Sequence, residues 1–240
     1  MENMMISKIP KWILAGSILL AFCAGFINGV VLFGNDQYAV SHITGTLSLF
    51  AHSLSSLELN KLIQSLCIIL FFFFGATLSG LIIQGRSLYF GRRYGVALLV
   101  ESACLFVSIL LHVIKLPFLS VILISFSSGL QNALVTTYSN SIIRTTHLTG
   151  LLTDLGAALG CFLSAKKINH VQVRLHSSIF FSFLLGAFFS GLLSKYYGFL
   201  SILFPTIVIF LSGVLYTYIS IEYRKHPERH TITHTSTNTI

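Results

Sequence analysis

The sequence contains one stretch twice: Ser41-His42-Ile43-Thr44-Gly45-Thr46-Leu47 and, 105 positions later, Thr146-His147-Leu148-Thr149-Gly150-Leu151-Leu152. Upstream of each copy, Gly25-Phe26-Ile27-Asn28 corresponds to Gly129-Leu130-Gln131-Asn132. Downstream, Gly75-Ala76-Thr77-Leu78-Ser79-Gly80-Leu81 corresponds to Gly186-Ala187-Phe188-Phe189-Ser190-Gly191-Leu192. Three blocks in the same order at nearly the same spacing indicate a duplicated unit of about 105 to 110 residues.

The composition indicates an all-α integral membrane protein. Hydrophobic residues make up 54% of the 240 residues, charged residues only 9%, and the mean hydropathy is +0.83. In soluble domains about a quarter of the residues are charged. The formal net charge of +8 is explained by lysines and arginines beside membrane spans. The expected partner is therefore the lipid bilayer, and nucleic acid is not expected.

Six apolar runs of 15 to 23 residues are candidates to cross a bilayer, which takes roughly 20 residues: 12–33, 62–84, 96–113, 118–138, 179–193 and 199–221. The motif segments 42–56 and 146–165 are shorter or more polar. The sequence therefore predicts a polar start (1–11), a first membrane repeat (12–115), a second repeat (116–221) and a polar, disordered tail (222–240).

Charge helps to decide whether the two motif segments cross the membrane. If both re-enter, the chain has six spans, and twelve of the fifteen lysines and arginines lie on the side of the two termini. If both cross, the chain has eight spans, and the division becomes ten to five. The positive-inside rule favours six spans with two re-entrant or half-depth helices and with both termini cytoplasmic.

Three spans per repeat is an odd number, so the second repeat is inserted upside down relative to the first. The two motifs then enter from opposite sides, and their half-helices can meet near the middle of the membrane. This is the architecture of many secondary transporters. Ser41, Thr44, Thr146 and Thr149 are residue types that cap helix N-termini, and Gly45 and Gly150 are expected to allow close backbone approach.

The predicted substrate-binding residues come from the repeated blocks: Asn28, His42, Thr44, Gly45, Gln131, Asn132, His147, Thr149 and Gly150. The histidines could equally be packing residues, and the amides could join helices. Glu101 and Asp154 are candidates for proton coupling, since ionisable residues within spans are expensive to bury. Asp154 could instead pair with Lys166 or Arg174.

Other residues have simpler interpretations. The small residues Gly75, Ser79, Gly80, Gly186, Ser190 and Gly191 predict close helix–helix contacts. The four cysteines lie singly in apolar runs, so no disulfide or metal site is expected. The tail histidines His226, His230 and His234 are interpreted as part of a solvated tail.

The motifs also carry a resemblance to a family. The combination of Ala24-Gly25-Phe26-Ile27-Asn28, Gly129-Leu130-Gln131-Asn132 and the two His-x-Thr-Gly segments resembles the YoaK-type family of bacterial inner-membrane proteins, a domain of unknown function. The resemblance covers about residues 13–221. It implies a six-span protein of the bacterial inner membrane but supplies no substrate. Asn28 stands where many relatives are expected to have an acidic residue, which weakens an ion-coupling role for that position.

Sequence motifs of common enzymes are absent: there is no HExxH, GxSxG, P-loop or Rossmann fingerprint. The sequence therefore favours a permease for a small polar solute, with no enzymatic activity, cofactor or metal. The alternative is a channel-like or structural membrane protein without a transport cycle. An intramembrane enzyme is a third, less favoured hypothesis, and the sequence leaves an oligomer open.

Overall fold

The structure is a computed structural model that describes residues 11–34, 40–84, 92–138 and 145–225. This part of the chain is helical and contains no strand. The helices, in order, are α1 (Lys11–Leu32), α2 (Ile43–Ser55), α3 (Leu59–Ile83), α4 (Arg92–Val113), α5 (Pro117–Tyr138), α6 (Leu148–Leu163), α7 (His170–Tyr197) and α8 (Leu203–Lys225), with a 3-10 turn at Gly198–Ile202 before α8. The tail from 226 and most of the basic loop 86–93 lie outside the described residues.

Long apolar helices confirm the all-α membrane fold. Five stretches of the described chain are long and apolar enough to cross a membrane, and the last of them, 170–222, contains both α7 and α8. Helix α7 begins at His170, nine residues before the predicted apolar run 179–193. The Asn169 side chain accepts hydrogen bonds from the backbone N–H groups of Val171 and Gln172, and this cap starts the helix at His170 despite its polar first turns.

Each repeat contributes one helix to each of two close pairs. Helices α1 and α7 run parallel, because Gly25 lies against the backbone of Phe183 while Gly29, one turn on, lies against Ser190. Helices α3 and α5 also run parallel, because Ser125 donates to the Ile68 carbonyl at 2.8 Å and Gly129 lies against Phe72. The sequence offsets relate α1 to α5 and α3 to α7, so the two pairs are equivalent.

The third pair reveals the number of crossings. Tyr94 at the start of α4 packs on Tyr216 near the end of α8, and His112 at the other end of α4 stacks on Phe199. Helices α4 and α8 are therefore antiparallel. In a chain of eight successive crossings α4 and α8 would be the fourth and eighth and would run parallel. Their antiparallel arrangement fits six spans and two helices that do not cross.

The directions of the helices divide the bundle into two ends. We call one the basic end, because it carries Gln84, Arg93 and the α6–α7 loop 164–169 with Lys166 and Lys167. We call the other the turn end, because it carries the α2–α3 turn 56–58, the α4–α5 turn 114–116 and the 3-10 turn. The apolar core lies between the ends and includes Phe26, Leu105, Ile124 and Ile209, all fully buried.

The two motif helices are short and begin inside the bundle. The Ser125 hydroxyl, which bonds Ile68, also reaches the Val40 carbonyl at 3.5 Å. Ser125 lies eight residues beyond the start of α5, which is about 12 Å from the turn end and close to half the thickness of a hydrocarbon core. From this depth α2, with 13 residues, returns to the turn end as a half-depth helix.

The glycine predictions are confirmed at one position in each block and wrong at the other. A Cβ on Gly75 would overlap the Phe126 carbonyl of α5, and a Cβ on Gly186 would overlap the Phe22 carbonyl of α1. At Gly80 and Gly191, by contrast, an added Cβ meets nothing within 4 Å. These two glycines lie on the exposed side of their helices, more than one turn beyond the crossing point, and are not contact surfaces.

Candidate functional site

The first motif forms a small polar cluster at the α1–α7 pair. The Ser41 hydroxyl donates to Asn28 Oδ1 at 2.9 Å, and Asn28 Nδ2 lies 3.1 Å from His42 Nε2. The His42 ring packs edge-on against Phe183, with 6.3 Å between centroids. Ser41 and Asn28 are buried. We call Asn28, Ser41 and His42 the first half-site.

The second motif occupies the equivalent position at the α3–α5 pair. His147 and Asn132 line a groove of about 370 Å³ together with Phe72, Thr136 and Thr137. By the sequence offsets, Asn132 corresponds to Asn28 and Phe72 to Phe183. The Thr145 and Thr146 hydroxyls are buried and have no hydrogen-bond partner among the described residues. We call Asn132, Thr146 and His147 the second half-site.

The half-sites differ in one respect. In the first, the polar side chains bond one another and fill the space. In the second, Asn132 and His147 border a groove. The Thr146 hydroxyl has no hydrogen-bond partner among the described residues, whereas its counterpart Ser41 donates to Asn28. A solute with hydrogen-bonding groups could therefore bind at the second half-site in this state of the molecule.

The described contacts do not combine the two motifs into a single cluster of side chains. They approach α7 from opposite ends instead. His42 contacts Phe183, and Leu151 of the second motif packs in a cluster with Ile179, one turn closer to the basic end. The first half-site thus contacts α7 directly, whereas the second motif reaches α7 through Leu151, one turn after His147.

Several predicted roles within the motifs are wrong. The residues at the N-cap positions are His42 and His147, and neither makes a side-chain capping bond. Thr44, Gly45 and Thr149 are exposed on α2 and α6, and their role in substrate binding stays a prediction. A Cβ on Gly45 would meet nothing within 4 Å, so no backbone approaches it.

The other glycine and glutamine have structural roles. Gly150 gives room to the ring of His147, which a Cβ there would meet. Gln131 is buried and donates to the Leu20 carbonyl at 2.8 Å, so it joins α5 to α1. This is the helix-joining role that the sequence left open for the amides.

A family model described as "Protein of unknown function (DUF1275)" matches residues 16–215, a range that includes both half-sites and all three helix pairs. The chain belongs to the DUF1275 family. No curated protein and no solved structure matches it. The family is the one indicated by the two His-x-Thr-Gly motifs, and its description assigns no activity.

Glu101 is the most unusual charged residue that the structure describes in this DUF1275 protein. It lies in the middle of α4 and is 1% exposed, and neither carboxyl oxygen has a hydrogen-bond partner in the described chain. Two thiols are nearby, Cys104 on α4 and Cys23 on α1. An ionised carboxylate without partners is very costly to bury, so this environment suits the neutral acid.

Asp154 has a different partner from those predicted. Its carboxylate lies 3.6 Å from Nδ1 of His176 on α7, not beside Lys166 or Arg174. Asp154 is 55% exposed whereas His176 is buried. The pair borders a cleft of about 260 Å³ at the basic end. Phe72, Phe183 and Ser41 were not predicted as site residues, although the offset between the repeats could have indicated them. Nothing in the sequence pairs Asp154 with His176.

The chemistry of the described site residues is that of hydrogen bonding and proton exchange. None of the four cysteines forms a disulfide. No group of three His, Cys, Asp or Glu side chains in the described ranges is placed to hold a metal ion. The half-sites offer amide, hydroxyl and imidazole groups, which suit a small polar solute.

Proposed function

We propose that this DUF1275 protein is a permease for a small polar solute, located in the bacterial inner membrane with both termini cytoplasmic. The observation that carries the proposal is the pair of half-sites. Each lies near mid-depth at a parallel helix pair, each is built from the same block of sequence, and the two enter from opposite ends. Inverted repeats with half-depth helices at the midplane are typical of secondary transporters.

The difference between the half-sites supports a mechanism of alternating access. In an inverted repeat, the two halves can exchange conformations. The state with the first half-site closed on itself and the second bordering a groove would then convert into its mirror state. The solute would bind Asn132, Thr146 and His147 in one state and Asn28, Ser41 and His42 in the other.

Glu101 is proposed as the proton carrier that couples this exchange to the proton gradient. It lies on α4, in the pair α4–α8 that belongs to neither half-site. Cys23 of α1 lies near it. A carboxyl that alternates between burial and water changes protonation, because the bilayer interior tolerates only the neutral form. Asp154, exposed at the basic end, is a second candidate.

The remaining parts of the proposal concern chemistry and partners. No enzymatic activity and no cofactor are proposed, and the partners are the bilayer and the solute. The alternative function, a channel-like or structural protein, predicts no saturable exchange. These functions differ in a way that a transport assay can measure.

The test is counterflow of radiolabelled polar solutes (amino acids, small amides, sugars and nucleosides) in proteoliposomes that contain the purified protein. We expect saturable accumulation of at least one class, reduced at least tenfold by His42→Ala and by His147→Ala. Equal flux in protein-free vesicles, or flux that does not saturate, would contradict the permease.

The matched control is His52→Ala. His52 lies ten residues beyond His42 on the exposed side of α2, so its replacement changes the same residue type without touching a half-site. Transport by His52→Ala should stay within twofold of the wild type. If His52→Ala and His42→Ala reduce transport equally, the effect belongs to the helix and not to the half-site.

A further inference from the structure

A large cleft in the described structure lies at the turn end, away from both half-sites. It has a volume of about 680 Å³ and is enclosed by the end of α1, the α4–α5 turn and the end of α7. Its wall is apolar and includes Val30, Val31, Val121 and Phe199. The volume lies within the range of small-molecule sites, about 300–1,000 Å³.

The charged groups that line this cleft are all basic. Lys115 from the α4–α5 turn and Lys195 from the last turn of α7 lie along it, together with His112. The His112 ring stacks on Phe199 with centroids 3.8 Å apart and planes within 5°, so both rings are held in the wall. No acidic side chain lines the cleft in the described part of the chain.

Among the residues that the structure describes, the other charges at this end do not line the cleft. Glu58, on the α2–α3 turn, is paired with Lys61 at 2.7 Å, and neither residue lines the cleft. Helix α5 begins at Pro117, which does line it. The N-terminus of that helix carries a partial positive charge, whereas the C-terminal ends of α1 and α7, which also border the cleft, carry partial negative charges. The positive field in the cleft therefore comes from the two lysines.

We propose that this cleft binds an organic anion, with one carboxylate or phosphate group between Lys115 and Lys195 and an apolar body against Val30 and Phe199. That such an anion is the transported solute rests on the proposed function, whereas its binding does not. A free metabolite and the headgroup of an anionic lipid share this chemistry. The experiment distinguishes them.

The backbone supplies a substitution that separates charge from folding. Lys115 has φ +63°, a left-handed conformation in which glycine is favoured after a helix. Lys115→Gly therefore removes the charge from the cleft without straining the turn. Lys195→Gln removes the second charge, and Lys61→Gln removes another exposed charge at the same end of the bundle but outside the cleft.

Binding is measured by isothermal titration calorimetry on the full chain in lipid nanodiscs. The probes are benzoate, its neutral analogue benzamide, and added phosphatidylglycerol compared with phosphatidylcholine. We expect benzoate or phosphatidylglycerol to bind, with affinity reduced about tenfold by Lys115→Gly and by Lys195→Gln, since each removes one charge-assisted contact. Lys61→Gln should stay within twofold.

Lysine-dependent binding of benzoate identifies a free anion, and lysine-dependent binding of phosphatidylglycerol alone identifies a lipid headgroup. Equal binding of benzamide and benzoate, affinities unchanged by both cleft substitutions, or no binding of either anion would overturn the inference. Counterflow that depends on His42 while the cleft binds no anion leaves the permease intact. Lysine-dependent binding without counterflow of any solute would contradict the permease function and support anion binding in the cleft.

Discussion

The polar side chains of the spans divide into two groups at the level of single residues. Many serines and threonines bond a carbonyl three or four residues earlier on their own helix, as Ser108 and Thr206 do, and need no further explanation. A second group is buried without a hydrogen-bond partner in the described chain, and it contains the hydroxyls of Ser79, Ser127 and Ser220 and both carboxyl oxygens of Glu101. Glu101 is the ionisable member of this group. A buried polar group without partners destabilises a fold by about 1–3 kcal/mol, so its presence requires a reason other than stability.

Replacement of Glu101 separates stability from coupling. Glu101→Met should leave the thermal midpoint of unfolding equal or higher, because it removes a buried polar group that lacks partners and keeps a similar volume. The same variant should lose any acceleration of counterflow by an imposed proton gradient. Scanning fluorimetry and transport at several pH values measure the two effects.

The control for this prediction is Ser102→Ala. Ser102 is buried beside Glu101 and bonds the Leu99 carbonyl of its own helix, so its replacement should leave proton coupling unchanged. A lower midpoint in Glu101→Met with coupling retained would indicate that Glu101 is a packing residue.

At the level of helices, the parallel pairs are held by reciprocal glycine contacts. Gly25 and Gly186 let α1 and α7 approach closely, and Gly75 and Gly129 do the same for α3 and α5. Each glycine lies against a phenylalanine carbonyl of the partner helix. The same contact occurs in both pairs, so the duplication preserved the geometry of the crossing as well as the sequence.

Added methyl groups test these crossings. Gly75→Ala and Gly186→Ala should each destabilise the protein by about 1–3 kcal/mol, because a Cβ forces two backbones apart. Gly80→Ala and Gly191→Ala, on the exposed sides of the same helices, should change stability by less than about 0.5 kcal/mol. Reversible unfolding in mixed detergents measures the difference, and equal effects at all four positions would contradict the crossing geometry.

At the level of the whole molecule, the three helix pairs together require an odd number of crossings in each repeat. Parallel α1–α7 and α3–α5 pairs fit both six and eight spans. Only the antiparallel α4–α8 pair separates them, through the contacts Tyr94–Tyr216 and His112–Phe199. The basic and turn ends therefore face opposite sides of the membrane.

Single cysteines in a background without the four native ones test this topology. Cysteines placed at Gln84 and Ala165 should both be labelled from the cytoplasm by an impermeant maleimide, and cysteines placed at Ser56 and Lys115 from the opposite side. The residue at 115 serves as the internal control for 56, because both lie at the turn end. Labelling of positions 84 and 165 from opposite sides would restore the eight-span arrangement.

The sequence by itself determined the class and the duplication, and it favoured motifs that reach half the membrane depth. Hydrophobic composition requires a membrane environment, and the repeated blocks require two equivalent units, because both properties depend on residue type and order alone. The same blocks identified Asn28, His42, Asn132 and His147 as equivalent residues. Charge counts favoured six spans, and the α4–α8 contact agrees.

Tertiary packing decided which residues of these blocks meet. Gly75 and Gly80 lie on the same helix within one repeated block. Only the position of the helix crossing shows that Gly75 touches α5 and Gly80 does not. The orientation of α2 and α6 turned Thr44 and Thr149 outward, and the pairing of Asp154 with His176 depends on how α6 lies on α7. The cleft at the turn end joins residues from α1, α4, α5 and α7 that are far apart in the chain. Such contacts depend on relative helix positions, which local sequence patterns do not encode.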